Sequence, residues 1–197
     1  RKEVEPVDQT ALGRFVGAWQ GLSKKRRGAD ALLDVIEQLQ GAPLPASILE
    51  TDILASRLDP YEPADLDAVI AAGEVVWVGI EPLGERDGRV ALFLTDQVAR
   101  LLPRHREASR SGPPARGSAK AAASAGTTQT GAPPEREQQI LEYLTAHGAS
   151  FFAALHEATG GGYPADTVAA LWNLAWQGLV TNDTAHVLRA FTHVRAA

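Results

Sequence analysis

The chain has no cysteine and no methionine among its 197 residues. Without thiols there is no disulfide framework and no thiolate metal site. No apolar run approaches the ~18 residues that a membrane span requires. The first ten residues, RKEVEPVDQT, hold neither an initiator Met nor an apolar signal core. A soluble, cytoplasmic protein with no membrane partner is expected, and, with no Met, the chain is expected to be a piece of something longer. No GxxxxGK[ST] loop occurs, which excludes nucleotide hydrolysis by that route. Histidines are few. His186 and His193 stand seven residues apart with no third ligand at a suitable spacing, while His105, His147 and His156 read as surface or capping residues. No zinc site, no catalytic residue and no cofactor-binding residue is therefore expected.

What is present is a 45% hydrophobic content, enough for one or two small domains with real cores. The net charge of −5 is unevenly spread. Residues 1–103 carry 11 Lys+Arg against 17 Asp+Glu, residues 104–134 carry 5 against 1, and residues 135–197 carry 3 against 6. The middle segment is rich in Ser, Gly, Ala and Pro and nearly free of large apolar residues. It cannot bury enough surface to offset its ordering entropy and reads as a disordered basic linker. The globular blocks on either side are acidic, which counts against a free-standing nucleic-acid binder.

In the first block, VDQTALGRFVGAW reads as a helix with Leu12, Phe15, Val16 and Trp19 on one face. ADALLDVIEQLQG, PASILETDILASRL and EPADLDAVIAAG follow as helices, the last with Pro63 in its first turn and Gly73 at its end. Val, Trp and Phe enrichment then predicts two antiparallel strands, Glu74 to Ile80 and Arg89 to Thr95, around the turn GERDG. TDQVARLL closes the block as a helical turn. The second block reads as EREQQILEYLTAHG, ASFFAALHEATG and PADTVAALWNLAWQG, all helical, then LVTND as strand or turn and DTAHVLRAF as helix. A local pattern repeats: Leu66, Val69 and Ile70 precede Gly73 as Leu171, Leu174 and Ala175 precede Gly178, and Val75 and Val180 follow. Helices followed by a strand pair give the expected fold class: mainly α with small β wings, as two tandem winged helix-turn-helix modules. They occupy residues 1–103 and 135–197, the second with a reduced wing, and 104–134 joins them.

A helix-turn-helix reads bases with Arg, Lys, Asn or Gln on its last helix. The candidate helices here carry Asp65 and Asp67, or Asp166, Asn173 and Gln177, and no cation. Carboxylates repel phosphates, and salt-releasing contacts need cations. Packing on neighbouring modules suits these helices better. The DNA-contact candidates are Lys24, Lys25, Arg26 and Arg27 in the loop after the first helix, and Arg86 and Arg89 at the wing tip. A solvated loop is the competing reading of the basic run. Trp19, Trp77, Trp172 and Trp176 read as core residues rather than base-stacking platforms.

The segments ALGRFVGAWQG, YEPADLDAVIAAGEVVWVG, DGRVALF and LWNLAWQGLVTND, in this order, resemble the C-terminal region of bacterial large helicase-related (Lhr) proteins. Most specific are Ala18-Trp19-Gln20-Gly21, Gly73 to Gly79, and Thr181-Asn182-Asp183-Thr184. The resemblance implies a superfamily 2 ATP-dependent DNA helicase linked to DNA repair, with ATP and Mg held in an N-terminal RecA-like core outside this chain. It further implies winged-helix modules that support self-association, partner that core and touch DNA. The alternatives are a contribution to a DNA glycosylase-like repair domain, and a purely protein-interacting scaffold.

Overall fold

A computed structural model describes residues 6–22, 26–102 and 135–192. The expected linker 104–134, Lys24, Lys25, His105 and His193 lie outside the described residues. The chain divides into two compact units, Arg1–Leu101 with Leu174–Ala197, and Leu102–Asn173.

The first unit begins with α1 (Gln9–Trp19), whose first turn is capped by Asp8 accepting from the Ala11 amide at 2.7 Å. Helix α2 (Ala29–Leu39) follows and turns Ala31, Leu32, Val35, Ile36 and Leu39 inward at helical spacing. Leu44–Pro45 form a two-residue strand, β1, and lead into α3 (Ala46–Ile48), which continues as a π-helical turn over Leu49–Leu54. Helix α4 (Pro63–Ala71) starts with proline in its first turn, where the missing amide costs nothing, and buries Leu66, Val69 and Ile70. It ends on Gly73 at φ 75°, with Gly73 N–H bonded to the Ile70 carbonyl and Glu74 N–H to that of Val69. This paired closure uses glycine because the left-handed conformation has no Cβ penalty there. Strands β2 (Val75–Pro82) and β3 (Gly88–Leu94) make the hairpin, and α5 (Thr95–Leu101) follows directly.

The three strands form one antiparallel sheet in the order β1-β3-β2, with Trp77 opposite Leu92 and Val75 opposite Leu94. Helix, strand, helix, helix and hairpin in this order make a winged helix. Its core contains Leu32, Ile36, Leu54, Leu66, Trp77, Leu92 and Phe93, each almost wholly removed from solvent. The hairpin ends shift by one or two residues from the expected bounds. Strand β1 was not expected, because Pro45 and the residues after it carry a helix-start signal.

One expectation is corrected. The apolar face of α1 is not core: Leu12, Phe15, Val16 and Trp19 are all exposed, and α1 has no buried residue. Residues from Leu174 onward group with the winged helix rather than with 135–173, and no strand follows Gly178 among the described residues. Gly178 does repeat the closure of α4, its N–H bonded to Ala175 and that of Leu179 to Leu174. The shared glycine pattern therefore marks a common helix end, with no second wing after it among the described residues.

The second unit is built from α6 (Glu135–His147), α7 (Phe152–Ala158) and the greater part of α8 (Pro164–Trp176). Ile140, Leu155 and Ala170 are its buried apolar residues, beside a buried polar set of Glu137, Thr159 and Thr167. Arg136 Nη1 satisfies that set by donating to Thr167 Oγ1 at 2.8 Å and to Thr159 Oγ1 and the Gly161 carbonyl at 3.1 Å. Asn173 Nδ2 donates to Glu137 at 3.0 Å. Buried polar groups are tolerated when bonded in this way.

Candidate nucleic-acid interface

In a winged helix the surfaces available for nucleic acid are the recognition helix, here α4, and the hairpin wing. The outward residues of α4 include Ala64, Ala68 and Ala71, with Asp65 half-buried beside them. Methyl groups and a carboxylate cannot donate to base edges or neutralise phosphates.

Asp67, the other carboxylate of α4, is engaged internally by α9 (His186–Thr192). Arg189 lies at the centre of this contact. Its Nε and Nη2 donate to Glu50 at 2.7 and 3.0 Å, its Nη1 to Asp67 at 2.8 Å, and Nη2 also reaches the Pro63 carbonyl at 3.2 Å. Tyr61 donates its hydroxyl to the same Glu50 at 2.6 Å. Burial acts to lower the Arg189 pKa, but hydrogen bonds and charge attraction from Glu50 and Asp67 outweigh it and hold the guanidinium above its usual range. Burial first, then the hydrogen bond and charge of Glu50, push the Tyr61 phenol above its usual value. Leu188 and Ala185 pack beside this cluster, around a cavity of about 20 Å³ also lined by Leu66, Trp77 and Leu92. That volume admits one water and no substrate.

The wing is likewise occupied. Trp77, 1% exposed, donates Nε1–H to the Thr184 carbonyl at 3.3 Å, and Thr181 Oγ1 donates to the Trp77 carbonyl at 2.6 Å. Asn182 Oδ1 accepts from Thr184 N and Oγ1 at 3.0 and 3.1 Å, which fixes the turn between them. Gly79 and Gly88 give way to the same segment. A Cβ on Gly79 would overlap the Ala175 carbonyl, and one on Gly88 would overlap the Trp176 indole, which packs edge-on to Phe191. Glycine at both positions permits close backbone approach. At the tip, Asp87 accepts from Ser47 N at 3.1 Å and from Ser47 Oγ at 2.6 Å, tying the turn to the start of α3.

The cations named from sequence are dispersed. Arg26 is ion-paired to Asp34 at 2.6 Å, and its carbonyl accepts from Asp59 N. Arg27 beside it is exposed and makes no ion pair among the described residues. Arg89 pairs with Glu81 across the hairpin, and Arg86 is exposed in the turn. Arg26 and Arg27 thus sit beside Leu58, whereas Arg86 and Arg89 belong to the wing. The sequence reading missed Arg189 and Arg57. Arg57 donates to Gln20 Oε1 at 2.7 Å and to the Ile53 carbonyl at 2.8 Å, and burial lowers its pKa. The partners of Arg189 are 122 and 139 residues away, and no local pattern signals such a pairing.

Among the described residues no group of three or more His, Asp or Glu could hold a metal, and no helix is long and apolar enough to cross a membrane. His156 Nδ1 lies 2.9 Å from Thr167 Oγ1, and His147 stacks on Tyr143, so both are engaged locally.

The fold and its hairpin define a winged-helix domain. Residues 7–95 match the winged-helix domain of the large helicase-related protein. Two relatives extend the similarity beyond it. An Lhr helicase and probable uracil glycosylase of Mycolicibacterium smegmatis is 36% identical over 192 residues, covering 96% of this chain and 11% of that protein. An Lhr helicase/uracil glycosylase of Escherichia coli is 33% identical over 200 residues, covering 98% of this chain and 11% of that protein. The chain therefore spans only about a tenth of the length of these relatives.

Proposed function

We propose that the chain is a non-motor, C-terminal segment of an Lhr-type ATP-dependent DNA helicase acting in DNA repair. In this reading it partners the helicase core, supports self-association and gives auxiliary contact to DNA. ATP and Mg belong to the core and not to this segment. The observation that carries the scaffolding role is the occupied state of the winged helix. Its recognition helix presents alanines and carboxylates, while Trp77, Gly79 and Gly88 receive the segment from Leu174 onward. DNA contact then falls to the basic run Lys24 to Arg27, with Arg86 and Arg89 as secondary candidates. Binding to single-stranded and duplex DNA across a salt series tests this. Replacing Lys24, Lys25, Arg26 and Arg27 together by Ala should weaken binding and flatten the salt slope by up to about four. An unchanged slope would remove the run from the interface.

A second reading rests on the names of both relatives, which include uracil glycosylase. In it the segment contributes to a repair site without ATP. Uracil-containing DNA incubated with the chain alone separates the two readings: base release supports the second, and intact substrate leaves the segment non-catalytic.

A further inference from the structure

We propose that the free edge of Arg136 holds a backbone phosphate of single-stranded DNA, with the neighbouring unpaired base stacked on Tyr163. The inference rests on the reading of this chain as a DNA-contacting segment, and it places a contact in the second unit, apart from the basic run.

Arg136 is the only Lys or Arg between residues 135 and 173, where five carboxylates stand: Glu135, Glu137, Glu142, Glu157 and Asp166. Among the described residues it pairs with none of them. Its hydrogen bonds go instead to three neutral oxygens, Thr159 Oγ1, Thr167 Oγ1 and the Gly161 carbonyl, and all leave from Nη1. Thr167 is wholly buried, and His156 Nδ1 holds it from another side at 2.9 Å. The guanidinium is thereby fixed at one corner. Nε and Nη2 bond to nothing described and are not buried. These two nitrogens form the side-on edge with which arginine grips paired oxygens of a carboxylate or phosphate. A half-buried cation with only neutral partners keeps its charge unopposed, in a setting less screened than open water.

What adjoins that edge fits a nucleotide. Gly160, Gly161 and Gly162 leave the backbone there bare. A Cβ on either of the first two would meet nothing within 4 Å, and one on Gly162 would lie 3.8 Å from Arg136 Nη2. Tyr163 follows directly and is 80% exposed, while its carbonyl is anchored by the Asp166 amide at 3.0 Å. An open aromatic ring next in sequence to a glycine that faces a cation supplies stacking and phosphate contact together, as single strands require. A duplex keeps its bases stacked on one another and has no use for the ring. An acidic protein partner would engage the arginine and leave the tyrosine unused. One cation among five carboxylates suits a single phosphate, not a strand tracked along a groove.

NMR of the 197-residue chain with a thymidine oligonucleotide of about 12 nucleotides tests this. The Arg136 Nε–H resonance and the amides of Gly160 to Tyr163 should shift together, and should still do so when Lys24 to Arg27 are replaced by Ala. Tyr163→Ala, at an exposed position, should leave the circular dichroism unchanged and weaken binding at least ~5-fold, with Tyr163→Phe restoring it. Arg136→Gln should lower the salt slope by about 0.7. An unmoved Arg136 resonance in a complex that still forms, or full affinity in Tyr163→Ala, would overturn the proposal and leave the DNA reading standing. Absence of any binding by the wild-type chain would overturn both. Inorganic phosphate that shifts the Arg136 resonance as far as the oligonucleotide does, at equal phosphate concentration, would make this a free-phosphate site and overturn the proposal. A shift of that resonance with protein concentration alone would assign the edge to a carboxylate of a second copy and overturn it equally.

Discussion

Replacing Arg189 by Met should destabilise the first unit by about 2–3 kcal/mol. The methionine keeps most of the apolar stem and removes only the guanidinium. Deleting one partner of a fully buried ion pair costs ~3–5 kcal/mol, because the remaining charge stays buried. Here the side chains of Arg189, Glu50 and Asp67 are 22, 18 and 39% exposed, so solvent recovers part of that cost. The loss remains large because the carboxylates have few other donors. Among the described residues Glu50 keeps only the Tyr61 hydroxyl, and Asp67 Oδ1 is already buried without a hydrogen-bond partner. With a urea dependence of roughly 2 kcal/mol per molar, the unfolding midpoint should fall by about 1 M. Combining Arg189→Met with Glu50→Gln should cost less than the sum of the two, by about 1 kcal/mol or more, because they share one interaction. A midpoint shift below roughly 0.2 M, or strict additivity with Glu50→Gln, would refute the assignment of Arg189 as the link between α9 and α4.

Three further outcomes follow from the same unit. Tyr61→Phe should cost about 1 kcal/mol near neutral pH through the lost bond to Glu50. The phenol pKa is higher folded than unfolded, so wild-type stability should be constant below the unfolded value near 10 and decline as pH rises above it. The phenylalanine variant should lose that contribution, which urea titrations at pH 8 and pH 11 would reveal. Gly88→Ala should cost about 1–3 kcal/mol and alter Trp176 fluorescence, since the new methyl overlaps the indole; an unshifted spectrum and midpoint would contradict the described packing. Thr181→Val should lower stability by about 1 kcal/mol and accelerate exchange of the α9 amides, an effect that should disappear if Thr181 does not hold the wing.

The helices were legible wherever helical periodicity ended in a local stop, as at Pro63 and Gly73 for α4. The hairpin was legible from its β-branched and aromatic runs. Strand β1 was not, because two residues carry no periodicity and Pro45 also signals a helix start. The exposure of α1 was equally hidden: periodicity reports which residues share a face, not whether anything covers it. Among the candidate DNA contacts, charge alone could not separate Arg27 from Arg26, which is neutralised by Asp34 eight positions along. Arg189 fell outside the reading because a single Arg in DTAHVLRAF gives no hint of carboxylates more than a hundred residues away.

The motifs that carried the family resemblance describe packing more than chemistry. Gln20 of the first anchors Arg57, Trp77 of the second is core, and Thr181 and Thr184 of the third bond to that same tryptophan across more than a hundred residues. Gly79 and Gly88 are explained by the approach of Ala175 and Trp176. A wing that inserted into a DNA groove would need its tip free and cationic. This tip is held to α3 by Asp87, and its Arg89 is paired with Glu81. The hairpin is better placed to receive the segment from Leu174 to Thr184 than to read a duplex. Any nucleic acid held by this unit would accordingly be bound through surface charge outside the recognition helix, and its affinity should follow salt rather than sequence.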